Sequence, residues 1–370
     1  MKLSHIAKLL VASVAFLALT SNSRANVEVF FAGGNASQNV LYDRVTNIFG
    51  GGSTLTSVVV SSTNSTVRTY QGTIPGQSGL GTVTIDFSLV GAVQGLEDLS
   101  SQNNEGTALG SNLPPTVAVS STTPEAVGIN SSPFTEEKTL VVPFVYVKPS
   151  ASKAPNLAGI TNLTQQQAYY LESAAGTLPS GYFGGSSTSD VLYLVPRNTS
   201  SAVRTETDLN IGFSGTIAAW TTNQASFSAF GPPYSTSPIG APVPDPNGGQ
   251  SSGGSVRSVV AALTNAIGTV AAQDISTLIP LSYNGVPFSI ANVENGSYSI
   301  WSYEHWYYPQ TGQPGAPSPN QLLVINTLLR AVTNAAFQAT SPVVVGNFAP
   351  YGALQVQRLQ DGGPITSLLY

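Results

Sequence analysis

The chain has no cysteine, so disulfides, thiolate metal sites and a cysteine nucleophile are all excluded. It has two histidines, of which His5 lies in the leader-like start and His305 in an aromatic run. A Ser-His-Asp triad would have to use His305, yet no nucleophile motif accompanies it, and a zinc site lacks its usual ligands. Charged residues are only 8% of the 370, the apolar start is too short to span a bilayer, and no second stretch approaches the required length, so no membrane span is expected. Stability must come from packing, and the surface must be solvated by hydroxyls and amides.

What is present begins with Lys2 and Lys8 flanking an apolar Leu9 to Leu19, followed by small residues ending at Ala25. This reads as a secretory signal over residues 1–25, so a periplasmic or secreted protein is expected. Three of the 13 basic residues and none of the 18 acidic ones precede Asn26. The remainder is strongly acidic, which argues against nucleic acid or anionic lipid as a partner. Any anion site must therefore act locally.

Val27 to Phe31 reads as a strand, and Gly33 to Ser37 as a Gly-rich turn. A helix follows, with Leu41, Val45, Ile48 and Phe49 at helical spacing. The arrangement recurs around Arg197-Asn-Thr-Ser-Ser-Ala-Val-Arg204, between the apolar Val191 to Val195 and a weakly polar segment reaching Trp220. The first-turn N–H groups of such a helix, with Ser200 and Ser201 beside them and arginines at either end, suit an anion. Ser and Thr at these positions serve equally as ordinary caps.

Thr56 to Ser61 and Val83 to Leu89 read as strands, and Val90 to Leu99 turns into a short helix. Residues 100–124, polar and Pro-interrupted, read as surface loop. Ala126 to Ile129 reads as a short buried strand, and Thr139 to Val147 as a longer one. Glu136 and Glu137 read as a solvated turn; as neighbours they cannot flank one glycosidic bond. Gln165 to Glu172 is helical, and residues 231–254 form a Pro/Gly/Ser-rich loop. Gly249 to Gly253 has the spacing of a nucleophile elbow without the preceding strand. A helix starts at Ser255, Ala266 to Val270 is a buried strand, and Ser299 to Tyr308 is an aromatic strand. Ser318 caps the longest helix, from Pro319 to Phe337, and strands at 343–345 and 353–359 close the chain.

Alternating strands and helices imply an α/β fold of mixed, mostly parallel sheets flanked by helices, with ligands at the carboxyl ends of the strands. The texture change at Lys148 and the return near Tyr283 divide it. Residues 26–145 and 285–370 form one expected lobe and residues 146–284 the other.

The order of elements resembles the two-lobed periplasmic solute-binding proteins of ABC transporters, most closely the phosphate-binding branch. Gly34-Asn-Ala-Ser37 resembles the turn that opens the family's first helix, and Gly91-Ala-Val-Gln-Gly95 its second, Gly-Ser-x-x-Gly. Gly128 to Pro133 resembles its third, Gly-Ala-Ser-Asp followed by a small residue and Pro. Arg197 to Arg204 resembles its fourth, Arg-x-Asp-Gly-Ser-Gly-Thr-Arg. The resemblance implies a non-enzymatic, monomeric protein without cofactor or metal. It would close on a small anionic or polar ligand, phosphate or another oxoanion, and deliver it to an ABC permease. The residues it points to are Asn35, Ala36, Ser37, Ala92, Asn130, Ser131, Arg197, Ser200 and Ser201. The family's carboxylate falls at Ser131, its serine at Ala92 and its threonine at Val203. Oxoanion binding is therefore expected to be weak, to select poorly between phosphate and sulfate, and to rely on Arg197. A surface or matrix protein that keeps the fold without a ligand is the alternative.

Overall fold

Val27–Gly33 (β1) is an apolar run buried along nearly its whole length, because parallel neighbours cover both edges and helices cover its faces. The computed structural model describes residues 26–222 and 241–368, so the signal-peptide expectation and residues 231–240 of the 231–254 loop lie outside the described residues. From β1 the chain runs through Gln38–Ile48 (α1), Leu55–Val60 (β2), Val67–Gly72 (β3), Val83–Ser88 (β4), Ala92–Ser101 (α2) and Val117–Ser120 (β5). Phe134–Lys148 (β6), Gln165–Ala174 (α3), Tyr193–Val195 (β7), Ala202–Ile211 (α4), Gly253–Ala262 (α5) and Ala266–Ala271 (β8) follow. Ile290–Glu294 (α6), Trp301–Pro309 (β9), Pro319–Val332 (α7) and Ala335–Thr340 (α8) complete it.

These strands form one mixed sheet in the order β7-β8-β6-β9-β5-β1-β4-β3-β2, with the short strands Ile279–Pro280 and Ala349–Pro350 also paired to β6. β1 is parallel to β4 and β5, and β7 is parallel to β8; β9 runs antiparallel to both β5 and β6. β6 changes partner along its length. Residues 134–143 pair with β9, whereas Phe144–Val147 pair with β8. The ladder is thus continuous, but one strand joins two groups of strands.

Several expectations change. Residues 100–124 contain β5, a central strand buried between β1 and β9; four residues after Pro114-Pro115 carry too little periodicity, and their neighbours supply the strand conformation. Ala126–Ile129 is not a strand: Glu125–Val127 is a 3-10 turn closed by Gly128 at φ 78°. Glu136 and Glu137 belong to β6, on opposite faces, rather than to a turn. The helix after Ser201 stops at Gly212, φ 74°, and Trp220–Thr222 is extended. The long C-terminal helix breaks at Thr333, where Asn334 caps α8, and residues 343–345 are turn. Only Val356–Gln357 of the last expected strand is extended.

The stretch Pro319–Thr340 is long and apolar enough to cross a membrane by composition, contrary to the sequence reading. Here α7 instead buries Val324, Ile325, Leu328 and Val332 in the core beside α1 and β1.

Candidate functional site

Three helices, α1, α2 and α4, bring their N-termini to one place, and the backbone makes the approach possible. The Gly91 N–H donates to Gly33 O at 2.9 Å, joining the turns that precede α1 and α2. A Cβ on Gly95 would lie 2.5 Å from the Gly33 Cα, so only glycine lets α2 sit directly on the end of β1. From the other group of strands, Ser200 reaches across: its carbonyl accepts from the Val93 N–H at 3.2 Å, and a Cβ on Gly91 would meet that oxygen at 2.9 Å. Gln273 Nε2 donates to Asn35 O at 3.1 Å, a second contact of the same kind.

These three helices share a further property. The side chains of Ser37 and Ser201 make no cap hydrogen bond, and Gly91 has no side chain that could make one. Among the described residues, the other five α-helices are all capped, by Thr164, Ser252, Ser289, Ser318 and Asn334. Uncapped first-turn N–H groups at a convergence point are what an oxygen-bearing ligand requires.

The Ser37 hydroxyl is not idle: it donates to Glu304 Oε1 on β9. Glu304 is 1% exposed, and burial pushes its carboxyl up to about 7, against the hydroxyls of Ser37 and Ser121. Sequence reading passed over Glu304. Its signal was a lone acid in a strand otherwise aromatic or small, where a buried carboxyl calls for partners.

The remaining predicted residues are distributed as follows. Ala36 and Ser37 are buried at the start of α1, and Ala92 opens α2 with its Cβ near Gly34. Ser200 and Ser201 are at the start of α4, the latter 2% exposed. Arg197 is buried, but its Nε and Nη2 donate to the carbonyls of Gln250 and Ser251 at 3.1 and 3.0 Å. Burial pulls its guanidinium down to about 10, with Asp274 opposing. Arg204 likewise holds Gly248 O and faces Asp208. Both arginines thus pin the segment before α5.

The third loop to reach this place follows β5, at Ser120 to Thr123. Asn130 and Ser131 lie farther along, where Asn130 Oδ1 accepts from the Ser132 N–H and the Ser131 hydroxyl donates to Glu125. Ser131 lines a cavity of about 450 Å³ beside that loop, with Thr123, Glu136, Lys138, Tyr303, His305 and Tyr307. There His305 Nδ1 is 2.6 Å from Glu136 Oε1, its ring is stacked on Tyr307, and the contact holds the Glu136 carboxyl below its usual range.

No protein-family model and no curated protein matches the sequence. Solved structures do match. One is a substrate-binding protein assigned to phosphate ABC transport, with bound phosphate, from Clostridium perfringens, at 13% identity, TM-score 0.52, covering 84% of this chain and 95% of that one. Another is an ABC-type phosphate transport receptor from Vibrio cholerae, at 12% identity, TM-score 0.50, covering 84% and 97%. The chain shares the fold of these two proteins. At such identity the likeness is one of architecture, and the ligand has to be argued from this chain's own residues.

Proposed function

We propose that the protein is an exported, non-enzymatic solute-binding protein that holds a small polar or anionic ligand where α1, α2 and α4 meet, for delivery to an ABC permease. The carrying observation is the absence of side-chain caps on those three helices while the other described α-helices have them. On this reading residues 26–145 with 285–370, and residues 146–284, are two lobes that hinge where β6 changes partner. The protein acts as a monomer without cofactor or metal.

The donors are backbone N–H groups; Arg197 already serves carbonyls. Glu304 supplies the carboxyl that position 131, a serine, lacks. Phosphate retains a proton at neutral pH that Glu304 accepts once ionised, whereas sulfate brings only charge, so selection for phosphate is expected above about pH 7 and is lost where Glu304 is neutral. Thermal melting with a panel of oxoanions, amino acids and sugars tests the reading. A ligand at one hundred times its Kd stabilises by about 2.7 kcal/mol. Arg197→Ala is expected to lower stability and leave affinity within about threefold.

A second reading, a surface or matrix protein that keeps the fold without a ligand, is favoured by the Ser200 carbonyl, which already occupies the Val93 N–H. No shift with any member of the panel would select it.

A further inference from the structure

We propose that Thr122, Thr123 and Ser302 form a carboxylate-binding pocket whose resident ligand is the chain's own Asp361, tethered so that it straps the C-terminal segment across both groups of strands. Asp361 Oδ2 accepts from the Thr123 N–H at 2.6 Å, the Thr123 hydroxyl at 2.7 Å and the Thr122 hydroxyl at 3.3 Å. Its Oδ1 accepts from Ser302 Oγ at 3.4 Å, and the buried Glu206 carboxyl on α4 also faces Asp361 and Thr122. A backbone N–H and two hydroxyls converging on one oxygen form a receptor for an anionic oxygen, and charge-assisted bonds of this kind are roughly twice as strong as neutral ones. Thr122 and Ser302 are fully buried, so these donors have little access to water as a substitute.

The segment around Asp361 is held by polar contacts at its centre, while Leu354, Val356 and Ile365 pack on the core on either side. Leu359 is 89% exposed and anchors nothing. Arg358 Nη1 donates to Asn210 Oδ1 on α4 at 2.7 Å and to Trp301 O at 2.9 Å, and its Nη2 donates to Ser299 O at 2.7 Å. The strap therefore touches α4 through Arg358 on Asn210 and Gly362 against Leu209, and touches the loop after β5 through Asp361. Asp361 is the end that fastens it to that loop.

A tethered carboxylate acts at an effective concentration of millimolar order, so a free carboxylate competes poorly until the tether is cut. This holds whether or not the helix N-termini take a solute, because the test leaves them untouched. Formate and acetate are the probes, with chloride at equal ionic strength as control and phosphate as a second anion, on the full chain from residue 26. Asp361→Ala is expected to lower Tm by about 3–6 °C. Formate should restore at least half of that loss in a saturable manner, with wild type unresponsive to the same salts. Restoration by phosphate equal to that by formate would widen the pocket's class to oxoanions. No loss in Asp361→Ala, no recovery beyond chloride, or an equal response of wild type would overturn the proposal. Should Asp361→Ala not fold, Asp361→Asn keeps the volume without the charge. Its Thr123 amide is expected to exchange with deuterium at least tenfold faster while β5 amides are unchanged, and unchanged exchange at Thr123 would count against the strap.

Discussion

Glu304 concentrates the electrostatics of the candidate site in a single side chain. It is buried beside Ser37 and Ser121, and its carboxyl is pushed up to about 7 by that burial. Ionising it in place costs free energy that protonation avoids, so the native state prefers the neutral acid. Glu304→Gln removes the titration and keeps the shape. It is expected to stabilise the protein at pH 8.5, by about 1 kcal/mol, and to be nearly neutral at pH 5. Denaturant melts at the two pH values decide this; a loss at pH 8.5 would show that the ionised carboxylate is an asset to the fold. The contact that gives Glu304 its role spans 267 positions of sequence, which is why only the coordinates disclose it.

At the scale of elements, the two kinds of helix start respond differently to the same change. Ser318 caps α7 in a reciprocal box with Gln321, with Pro319 at the first position, so Ser318→Ala is expected to cost about 1 kcal/mol at any pH between 5 and 8. Ser37 caps nothing and instead donates to Glu304. The cost of Ser37→Ala should therefore grow as pH rises and Glu304 ionises, and a pH-independent cost would mean that Ser37 acts through α1. This contrast also shows where sequence reading stops. The starts of α1, α2, α4 and α7 were legible from Gly, Ser and Pro at their boundaries, and β1, β4, β6 and β9 from apolar or aromatic runs. β5 was not, because four residues behind two prolines become a strand only when β1 and β9 flank them. The missing caps were not legible either: Ser37 and Ser201 look like ordinary caps until the structure shows the Ser37 hydroxyl spent on Glu304 and neither side chain bonded to its own helix. The convergence of α2 with Ser200 depends on Gly91 and its seat on β1 on Gly95, which in sequence read only as turn residues.

Burial pushes up more carboxyls than it pulls down bases, and this sets how the stability depends on pH. Burial pushes Asp86, Glu105, Asp208 and Glu304 up to about 7 and Glu172 to about 8. Glu206, close to the Asp361 carboxylate, is raised well above its ordinary value by burial, and Asp274 is raised as well, also by burial. Glu136, held down by His305, acts in the opposite sense and only in the acid range. A carboxyl whose folded pKa exceeds its unfolded value binds its proton more tightly in the native state. The stability it contributes is complete below the unfolded value, near 4, and is lost as pH rises to the folded one. Between those limits each such group removes at most about 1.4 kcal/mol per pH unit, and several act together from about pH 5 to 8. The protein is therefore expected to melt at a higher temperature at pH 5 than at pH 8, by about 4–6 °C for a difference of a few kcal/mol. The unfolded chain, with 18 acidic against 13 basic residues, has no comparable preference for protons in that range. Scanning calorimetry at constant ionic strength across that interval measures it directly. A Tm that is flat or rises toward pH 8 would mean that water or a bound cation reaches these carboxylates and keeps them ionised in the folded state.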